Sequence, residues 1–296
     1  MIDRRTFLIG APFLIGGPLL AGACATAARS PVNDMEEQFH RLCAGLGPGN
    51  RLGVAVIDAG SGRRWGYQAD SRFAMCSTFK LPLAAMILAE AQAGRLSLAD
   101  QLPFARGDLV SHSPVLEANL ARGRLSFERL AQAIVEVSDN GAANLLLRRV
   151  GGPQALTGFF RANGDAVTRL DRYELELNEN RLGDARDTTT PAAMAGLVLN
   201  LLTGNRLPAS GRALLFGWMR NASTGLDRLR AGFPAGWAAG DKTGTGNGAN
   251  NDVAVAYPPN RAPLVVASYI DARGLENPRK NATHAAVARI VAASLG

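Results

Sequence analysis

The chain has 296 residues, 47% of them apolar, and a formal net charge of +7. This length is enough to bury a sizeable core in one large domain or two closely packed ones. The basic residues are scattered or paired, with no basic run interleaved with aromatic residues, so nucleic-acid binding is not expected. Attraction for anionic small molecules is the simpler interpretation of the charge.

The cysteines and histidines are too few and too dispersed to predict a disulfide framework or a metal site. Cys43 and Cys76 could form one disulfide or stay as two buried thiols. His40, His112 and His284 are far apart in the chain. We therefore expect neither a metal nor an organic cofactor.

Residues 1–23 are typical of an export signal, because a charged start precedes an apolar run that is too short to span a membrane. Arg4-Arg5 followed by Phe7-Leu8 indicates twin-arginine export to the periplasm, with the general secretion route as the alternative. Leu20-Ala21-Gly22-Ala23-Cys24 resembles a lipoprotein box in which Cys24 would carry a lipid anchor. Cleavage at one of the small-residue sites nearby is the alternative.

After a linker at residues 24–34, the first elements are predicted to be a helix and a β-hairpin. Apolar residues at helical spacing predict a helix from Met35 to about Leu46. Leu52–Asp58 is predicted to be a buried strand, and Arg64–Tyr67 its partner across a glycine-containing turn.

The middle of the chain is predicted to be mostly helical, with one long loop. Between Asn163 and Thr190 there is no apolar period, and ordered loops of this length are usually functional. Pro191 after Thr190 is well placed at the first turn of a helix. The predicted helices are Ser77–Ala93, Phe127–Ser138, Asn140–Val150, Pro153–Asn163, Pro191–Thr203 and Ala209–Asn221.

Strand patterns return near the C-terminus, and strands from both ends of a chain can join one antiparallel sheet. We therefore expect an α+β fold, with a five-stranded antiparallel sheet flanked by helices. Residues 35–70 and 220–296 would form this α/β domain, and residues 71–219 an inserted all-helical domain. The C-terminal elements are predicted at Trp237–Lys242, Asp252–Tyr257, Leu264–Asp271 and, as a helix, about Ala282–Leu295.

Only three lysines occur in the chain, and Lys80 and Lys242 lie in short motifs whereas Lys280 does not. Lysine is compact and can lose its proton when buried, whereas arginine stays charged. Ser77 and Lys80 are three residues apart at a predicted helix start, so they share one face and the serine lies near free N–H groups. An amine beside a serine is one way to activate a nucleophile. Taken alone, most such tetrads are surface helix.

Two further motifs also have ordinary structural interpretations when each is taken alone. Ser138-Asp139-Asn140 lies between two predicted helices, where it can be a simple N-cap. Lys242-Thr243-Gly244 lies at the end of a predicted strand, where it can be a turn with a surface lysine. In the functional interpretation, the lysine and the hydroxyls hold a substrate carboxylate.

The three motifs, in this order, resemble those of serine β-lactamases and penicillin-binding proteins. Beyond the export signal, the whole chain resembles the class A serine β-lactamase family. This resemblance implies hydrolysis of the β-lactam ring of penicillins and cephalosporins through an acyl-enzyme on Ser77, which confers antibiotic resistance. Ser138 would relay a proton to the leaving nitrogen, and either Lys80 or Glu174 would be the base in acylation.

A fourth element distinguishes the lactamase from a transpeptidase. Residues 169–187 resemble the Ω-loop of class A enzymes, with Glu174 and Asn178 at the positions that hold the hydrolytic water. A carboxylate within hydrogen-bond reach can activate that water against the ester. Arg172 and Asp187 match the pair that fastens the loop.

The resemblance also implies a set of substrate contacts. Backbone N–H groups of Ser77 and Thr245 would form the oxyanion hole. His112 stands at a rim position where the family often has Tyr or Trp, and it would offer a weaker stacking face. The contacts to the substrate amide and carboxylate would come from Asn140, Arg228, Lys242, Thr243 and Thr245.

Several alternatives stay open at this point. A D-alanyl-D-alanine peptidase shares the three motifs but would not need Glu174, and a non-catalytic β-lactam sensor would bind once and stop. Cys76 precedes the nucleophile as in some carbapenem-hydrolysing relatives, but the cysteine that pairs with it there is missing after Thr245. Carbapenem turnover and inhibitor susceptibility are therefore open, and we assume a monomer because nothing in the sequence suggests otherwise.

Overall fold

The computed structural model describes residues 31–294, so the predicted export signal and Cys24 lie outside the described residues. Its strands are β1 (Arg51–Asp58), β2 (Arg64–Tyr67), β3 (Phe73–Ala74), β4 (Gln101–Pro103), β5 (Arg124–Ser126), β6 (Thr188–Thr189), β7 (Ala238–Thr245), β8 (Ala249–Tyr257) and β9 (Leu264–Asp271). Its α-helices are α1 (Pro31–Gly45), α2 (Lys80–Gln92), α3 (Pro114–Ala118), α4 (Phe127–Glu136), α5 (Asn140–Arg149), α6 (Gly152–Ala162), α7 (Pro191–Thr203), α8 (Ala209–Asn221) and α9 (Asn277–Ser294). Short 3-10 helices cover Cys76–Phe79, Arg106–Asp108, Glu176–Asn178 and Leu229–Gly232.

A five-stranded antiparallel sheet in the order β2-β1-β9-β8-β7 joins strands from both ends of the chain. The register of β1 and β9 runs from Arg51 opposite Asp271 to Asp58 opposite Leu264. Helices cover both of its faces. The predicted α+β fold with its five-stranded sheet is therefore confirmed.

Both faces of the sheet are buried, which explains the long apolar runs in its central strands. Successive residues of a strand point to opposite faces. Ile57 and Val253 lie in the apolar cluster shared with the helical block, which consists of α2 and α4–α8. Val56 and Ala254 lie in the cluster that includes residues of α1 and α9.

The predicted helix Ser77–Ala93 is in fact two elements, because a 3-10 turn over Cys76–Phe79 precedes α2. Pro82 explains where α2 begins, since proline has no N–H and is tolerated only in the first turn of a helix. An α-helix beginning at Ser77 would place Pro82 in its interior. The turn itself begins at Cys76, whose φ of 45° is in the left-handed region.

Strand β7 runs past its predicted end at Lys242 to Thr245, so the whole Lys-Thr-Gly motif lies within the strand and forms no turn. Gly244 is required by close packing rather than by a turn, since a Cβ there would lie 2.6 Å from the carbonyl oxygen of Met75. Glycine within a strand often marks such an approach of another backbone. The sheet edge thereby packs directly against the turn that carries Ser77.

The other predicted elements are present with smaller differences at their ends. Both α7 and α8 have their predicted bounds, and Thr190 caps α7 by accepting a hydrogen bond from the Ala193 N–H at 3.2 Å. Helix α9 begins earlier than predicted, because Pro278 is tolerated in its first turn. The sequence patterns did not reveal α3 or the two-stranded ribbons β3–β6 and β4–β5.

Cys43 and Cys76 are both buried and free, so they are two separate thiols and not a disulfide. Across residues 31–294, every helix is too short or too polar to cross a lipid bilayer.

Candidate active site

Ser77 lies within reach of two candidate bases. Lys80 Nζ donates a hydrogen bond to Ser77 Oγ at 3.0 Å. Ser77 Oγ in turn donates to Glu174 Oε1 at 3.4 Å. Lys80 Nζ lies 2.9 Å from the same Glu174 oxygen. The three side chains thus form a closed triangle of nucleophile, amine and carboxylate.

Lys80 is fully buried beneath the serine. Its Nζ donates to the backbone carbonyl of Ser138 at 2.9 Å and to Asn140 Oδ1. Burial lowers the pKa of Lys80, while the negative charge of Glu174 opposes that shift. Burial therefore makes the proton of this ammonium easier to lose than that of a surface lysine.

The Ser138-Asp139-Asn140 segment is a helix cap and part of the site at the same time. Asp139 Oδ1 accepts from the Ala142 N–H at 2.8 Å, which caps α5 and confirms the structural interpretation of that residue. Asp139 Oδ2 accepts from the Val115 N–H at 2.8 Å, which ties the cap to α3. This cap presents Ser138 and Asn140 to the cleft.

The Ser138 hydroxyl connects the two lysines of the motifs. Its Oγ lies 3.3 Å from Lys80 Nζ and 3.1 Å from Lys242 Nζ. An ammonium group can only donate, so the serine oxygen accepts from both lysines. The hydroxyl hydrogen of Ser138 is then free to be donated to a partner in the cleft.

Glu174 is fixed by two asparagines. Asn178 Nδ2 donates to Glu174 Oε2 at 2.6 Å. Asn144 holds the backbone of Glu174 in both directions, accepting from its N–H and donating to its carbonyl, each at 2.9 Å. Sequence reasoning did not identify Asn144, although it lies four residues after Asn140 in α5 and hence on the same helix face.

Arg172 and Asp187 join the two ends of the long loop, as the resemblance implies. Arg172 Nε donates to Asp187 Oδ2 at 2.6 Å. Asp187 Oδ1 also accepts from the backbone N–H groups of Asp171 at 2.7 Å and of Arg172 at 3.0 Å. The loop that carries Glu174 is therefore closed by a charge-assisted network.

On the opposite side of the cleft, Lys242 is also fully buried. Besides Ser138, its Nζ contacts the carbonyl oxygen of Thr243 at 2.9 Å. Burial, followed by the positive charge of Lys80, lowers the pKa of Lys242 to about 7.

Arg228 and Thr224 complete this side. Arg228 Nη2 donates to Thr245 Oγ1 at 2.9 Å, and its Nη1 donates to the carbonyl of Asn251 at 2.7 Å. Thr243 Oγ1 donates to Thr224 Oγ1 at 2.8 Å. Sequence reasoning missed Thr224, which lies in no recognisable motif.

These groups surround a cleft of about 400 Å³ between the helical block and strand β7. His112 lies at its rim, where its Nε2 donates to the carbonyl of Val137 at 2.8 Å. The cleft is lined by Ser77, His112, Ser138, Asn140, Leu175, Asn178, Thr224, Arg228, Thr243 and Thr245.

Comparison with known proteins agrees with this geometry. A model of the Beta-lactamase enzyme family matches residues 34–295. The chain is 42% identical over 278 residues to the carbapenem-hydrolyzing beta-lactamase KPC of Klebsiella oxytoca, covering 93% of each chain. It is 40% identical to beta-lactamase Toho-1 of Escherichia coli, covering 88% of this chain and 89% of that one.

Solved structures give the same result. A class A beta-lactamase described as the last common ancestor of Gram-negative bacteria matches with a TM-score of 0.86 at 49% identity, covering 88% of this chain and 99% of that one. The chain belongs to the class A β-lactamase family. A beta-lactamase from Burkholderia vietnamiensis matches with a TM-score of 0.85 at 43% identity, covering 90% of this chain and 97% of that one.

This class A β-lactamase brings nearly all of its predicted site residues together. Most of them line the cleft, and Lys80, Glu174 and Lys242 lie buried directly behind it. Arg172 and Asp187 lie outside the cleft, at the base of the loop. Gly246 packs against the buried thiol of Cys76, since a Cβ on this glycine would lie 2.7 Å from Cys76 Sγ.

Proposed function

We propose that this protein hydrolyses the β-lactam ring of penicillins and cephalosporins through an ester on Ser77. The observation that carries the proposal is the triangle in which Ser77 Oγ lies 3.0 Å from Lys80 Nζ and 3.4 Å from Glu174 Oε1. A peptidase needs only the first contact to become acylated. A hydrolase also needs a carboxylate beside the ester to activate water.

In acylation, Ser77 Oγ attacks the lactam carbonyl carbon and passes its proton to Glu174 or to neutral Lys80. Backbone N–H groups of Ser77 and Thr245 stabilise the oxyanion. As the ring C–N bond breaks, Ser138 gives its hydroxyl proton to the leaving nitrogen. Lys80, which contacts both Ser138 and Glu174, then passes the proton that left Ser77 on to Ser138, so that Glu174 is again a carboxylate.

In deacylation, Glu174 takes a proton from a water molecule whose oxygen attacks the ester carbonyl carbon. The ester C–O bond breaks, and Glu174 returns this proton to Ser77 Oγ. Asn178 supports this role, because its Oδ1 is buried and has no donor among residues 31–294, which leaves it able to accept from that water. Arg172 and Asp187 keep the loop, and with it Glu174, in place.

Substrate binding is assigned to the other side of the cleft. Lys242, Thr243 and Thr245 bind the substrate carboxylate, assisted by Arg228. Asn140 contacts the substrate amide. His112, held at the rim by its bond to a backbone carbonyl, offers a ring face to the substrate.

The test is intact-protein mass spectrometry after mixing each variant with a penicillin. Glu174→Ala is expected to accumulate an adduct of the full substrate mass, because ring opening releases no leaving group. Ser77→Ala is expected to show no adduct, and Glu176→Ala, which removes an exposed carboxylate of the same loop, is expected to turn over normally. Rapid turnover by Glu174→Ala would contradict the proposal.

A chromogenic cephalosporin separates the remaining alternatives. An enzyme gives many turnovers per molecule, whereas a β-lactam sensor or a penicillin-sensitive peptidase gives a single equivalent of product and stops. We expect many turnovers by the unmodified protein.

For the location, we propose that residues 1–23 direct the protein to the periplasm through the twin-arginine route and that it acts there as a monomer. We also propose that the cleft lies between an α/β domain of residues 35–70 and 220–296 and a helical domain of residues 71–219. Fractionation combined with the mass of the mature N-terminus distinguishes a lipid anchor on Cys24 from release by a signal peptidase.

A further inference from the structure

Two aspartates lie buried directly behind the Lys-Thr-Gly motif. Asp241 precedes Lys242 in β7, and Asp252 in β8 lies opposite Thr243. Because residues two apart in a strand face the same side, both carboxyl groups lie on the Thr243 face of the sheet. Both aspartates are completely buried.

One oxygen of each carboxyl group has an ordinary donor. Asp241 Oδ1 accepts from Arg230 Nη1 at 3.1 Å, and Asp252 Oδ2 accepts from the Leu229 N–H at 3.0 Å. The other oxygens, Asp241 Oδ2 and Asp252 Oδ1, are buried without an N–H or O–H partner among residues 31–294. Asp252 lies opposite Thr243, and Asp241 is the next residue of β7 on the same face, so the two unpartnered carboxyl oxygens belong to neighbouring side chains of one buried face. Because ionised carboxylates can only accept, a hydrogen bond between the two groups requires one proton.

We propose that Asp241 and Asp252 share one proton and act as a positioning pair for the carboxylate-binding side of the cleft. The proton resides on Asp252, because Asp241 keeps Arg230 as its ionic partner. Leu229 and Arg230 are held by the pair, and they directly follow Arg228 in the chain. The pair thereby fixes the segment from which Arg228 reaches Thr245.

The surrounding charges support this assignment. Burial, with the charge of Asp241 adding to it, raises the pKa of Asp252 well above its usual range, although Arg228 opposes the shift. Burial also raises the pKa of Asp241, while Arg230 and Lys242 lower it. Two carboxyl groups that share a buried site cannot both ionise without a large penalty.

Backbone packing closes the site above the pair. A Cβ on Gly225 would lie 1.6 Å from Asp241 Oδ2, so only glycine leaves space for that oxygen. Gly225 also accepts a hydrogen bond from the Arg228 N–H at 3.0 Å. The pair therefore supports the segment on both sides of Arg228.

Sharing a proton has a defined effect on stability. The ordinary pKa of an aspartate is 3.8, so above that pH the folded protein binds a proton that the unfolded chain has lost. The stabilisation of the folded state by this proton is complete below pH 3.8 and is lost as pH rises through the raised pKa of Asp252 in the folded protein. Within that window the folded-to-unfolded ratio falls about tenfold per pH unit.

An Asp252→Asn variant tests this directly. Its amide can donate to Asp241 and its carbonyl can accept from the Leu229 N–H, with no proton taken up. In urea unfolding between about pH 5 and about pH 9, we expect the free energy of unfolding of this variant to increase, relative to that of the unmodified protein, as pH rises. The contribution of Lys242 has the opposite sign, and it is nearly the same in both proteins because a protonated Asp252 and an asparagine are both neutral. Parallel stability curves would overturn the shared proton.

The matched control is Asp70→Asn, which removes one carboxylate from an exposed position and changes the net charge equally. We expect its stability to run parallel to that of the unmodified protein at every pH. A second variant, Asp241→Asn, can likewise donate to its partner without a proton. We expect it to flatten the pH dependence too, even though Arg230 loses its counter-ion.

The positioning role, which rests on the proposed function, is tested by kinetics. Asp252→Leu leaves the Leu229 N–H without an acceptor, so we expect it to raise KM for an anionic penicillin several-fold above that of Asp252→Asn, with kcat less affected. Equal KM values in the two variants would contradict the positioning role. If Asp252→Leu does not fold, Asp241→Asn, in which Arg230 loses its counter-ion, is compared with Asp252→Asn instead, and equal KM values would again contradict positioning. Absence of turnover in the unmodified protein would contradict the proposed function alone, since the unfolding experiment needs no activity.

Discussion

The helical side and the sheet side of the cleft each bury one lysine against Ser138, but the two lysines differ in their partners. Lys80 Nζ lies 2.9 Å from the carboxylate of Glu174. Lys242 Nζ contacts a hydroxyl and a carbonyl, and within the described part of the chain it forms no ion pair. A charge beside its counter-ion can exchange a proton with it, whereas an uncompensated charge is suited to binding an anion.

The same difference appears in how each charge responds to a substrate. Burial lowers the pKa of Lys80, but Glu174 already opposes that shift in the free protein. After burial, the largest influence on Lys242 is the positive charge of Lys80, which exceeds the opposing charge of Asp241, and the pKa of Lys242 falls to about 7. An arriving carboxylate would supply the missing counter-charge only on the sheet side. We therefore assign proton transfer to the helical side and charge recognition to the sheet side.

The largest effect is expected from Lys80→Ala. Loss of the amine removes a proton carrier that contacts both Ser77 and Ser138, so kcat/KM should fall by roughly 10²–10⁴-fold, the usual range for general acid–base groups. Lys280→Ala, which removes the lysine outside the motifs, is the control and should retain activity. Steady-state kinetics with a chromogenic cephalosporin would measure both. A change confined to KM would contradict the assignment of proton transfer to the helical side and charge recognition to the sheet side.

A smaller effect, on binding, is expected from Lys242→Ala. A hydrogen bond to a charged group contributes about 1.5–3 kcal/mol, which corresponds to a loss of roughly 10- to 150-fold in kcat/KM. The loss should be greatest for substrates that carry a carboxylate and should nearly disappear for an ester of the same substrate. Equal losses for the acid and the ester would remove the anion-binding role.

The same lysine predicts a pH dependence. Because the pKa of Lys242 is lowered to about 7, its ammonium is present below that pH and is lost as pH rises above it. The value of kcat/KM, which reports the free enzyme, should therefore decline above about pH 7. Lys242→Arg keeps its charge throughout and should lack this decline, whatever its absolute activity. An unchanged alkaline limb in that variant would assign the decline to another group.

Local sequence was enough to bring Ser77 and Lys80 together but not to place the Lys-Thr-Gly motif. Ser77 and Lys80 meet because of their spacing within one turn of chain, and Thr190 with Pro191 determined where α7 begins. Lys242 lies in a strand whose end was predicted too early, because glycine is typical of turns. Here Gly244 instead allows another segment of backbone to pack closely against the strand. Such packing depends on contacts with distant chain segments, which periodicity does not reveal.

The buried polar pairs show the same limit. Asp241 and Asp252 are neighbours on one face only because of the register between β7 and β8, and Asn144 could not be identified because its partner lies in the distant Ω-loop. Aspartates within apolar strands resemble interruptions of the pattern. Their proximity becomes visible only once the strands are paired.

The smallest effect is expected from Thr224→Val. The Thr224 hydroxyl accepts a hydrogen bond from Thr243 Oγ1 at 2.8 Å, which orients the Thr243 hydroxyl at the cleft. Valine has the same shape but cannot accept, so one neutral hydrogen bond of about 0.5–1.5 kcal/mol is lost and KM should rise roughly 2- to 12-fold. A double-mutant cycle with Thr243→Val should show that the two effects are not additive, because both variants remove the same bond. If Thr224→Val lowered kcat and left KM unchanged, this hydroxyl pair would belong with the proton-transfer groups, and the sheet side would do more than bind charge.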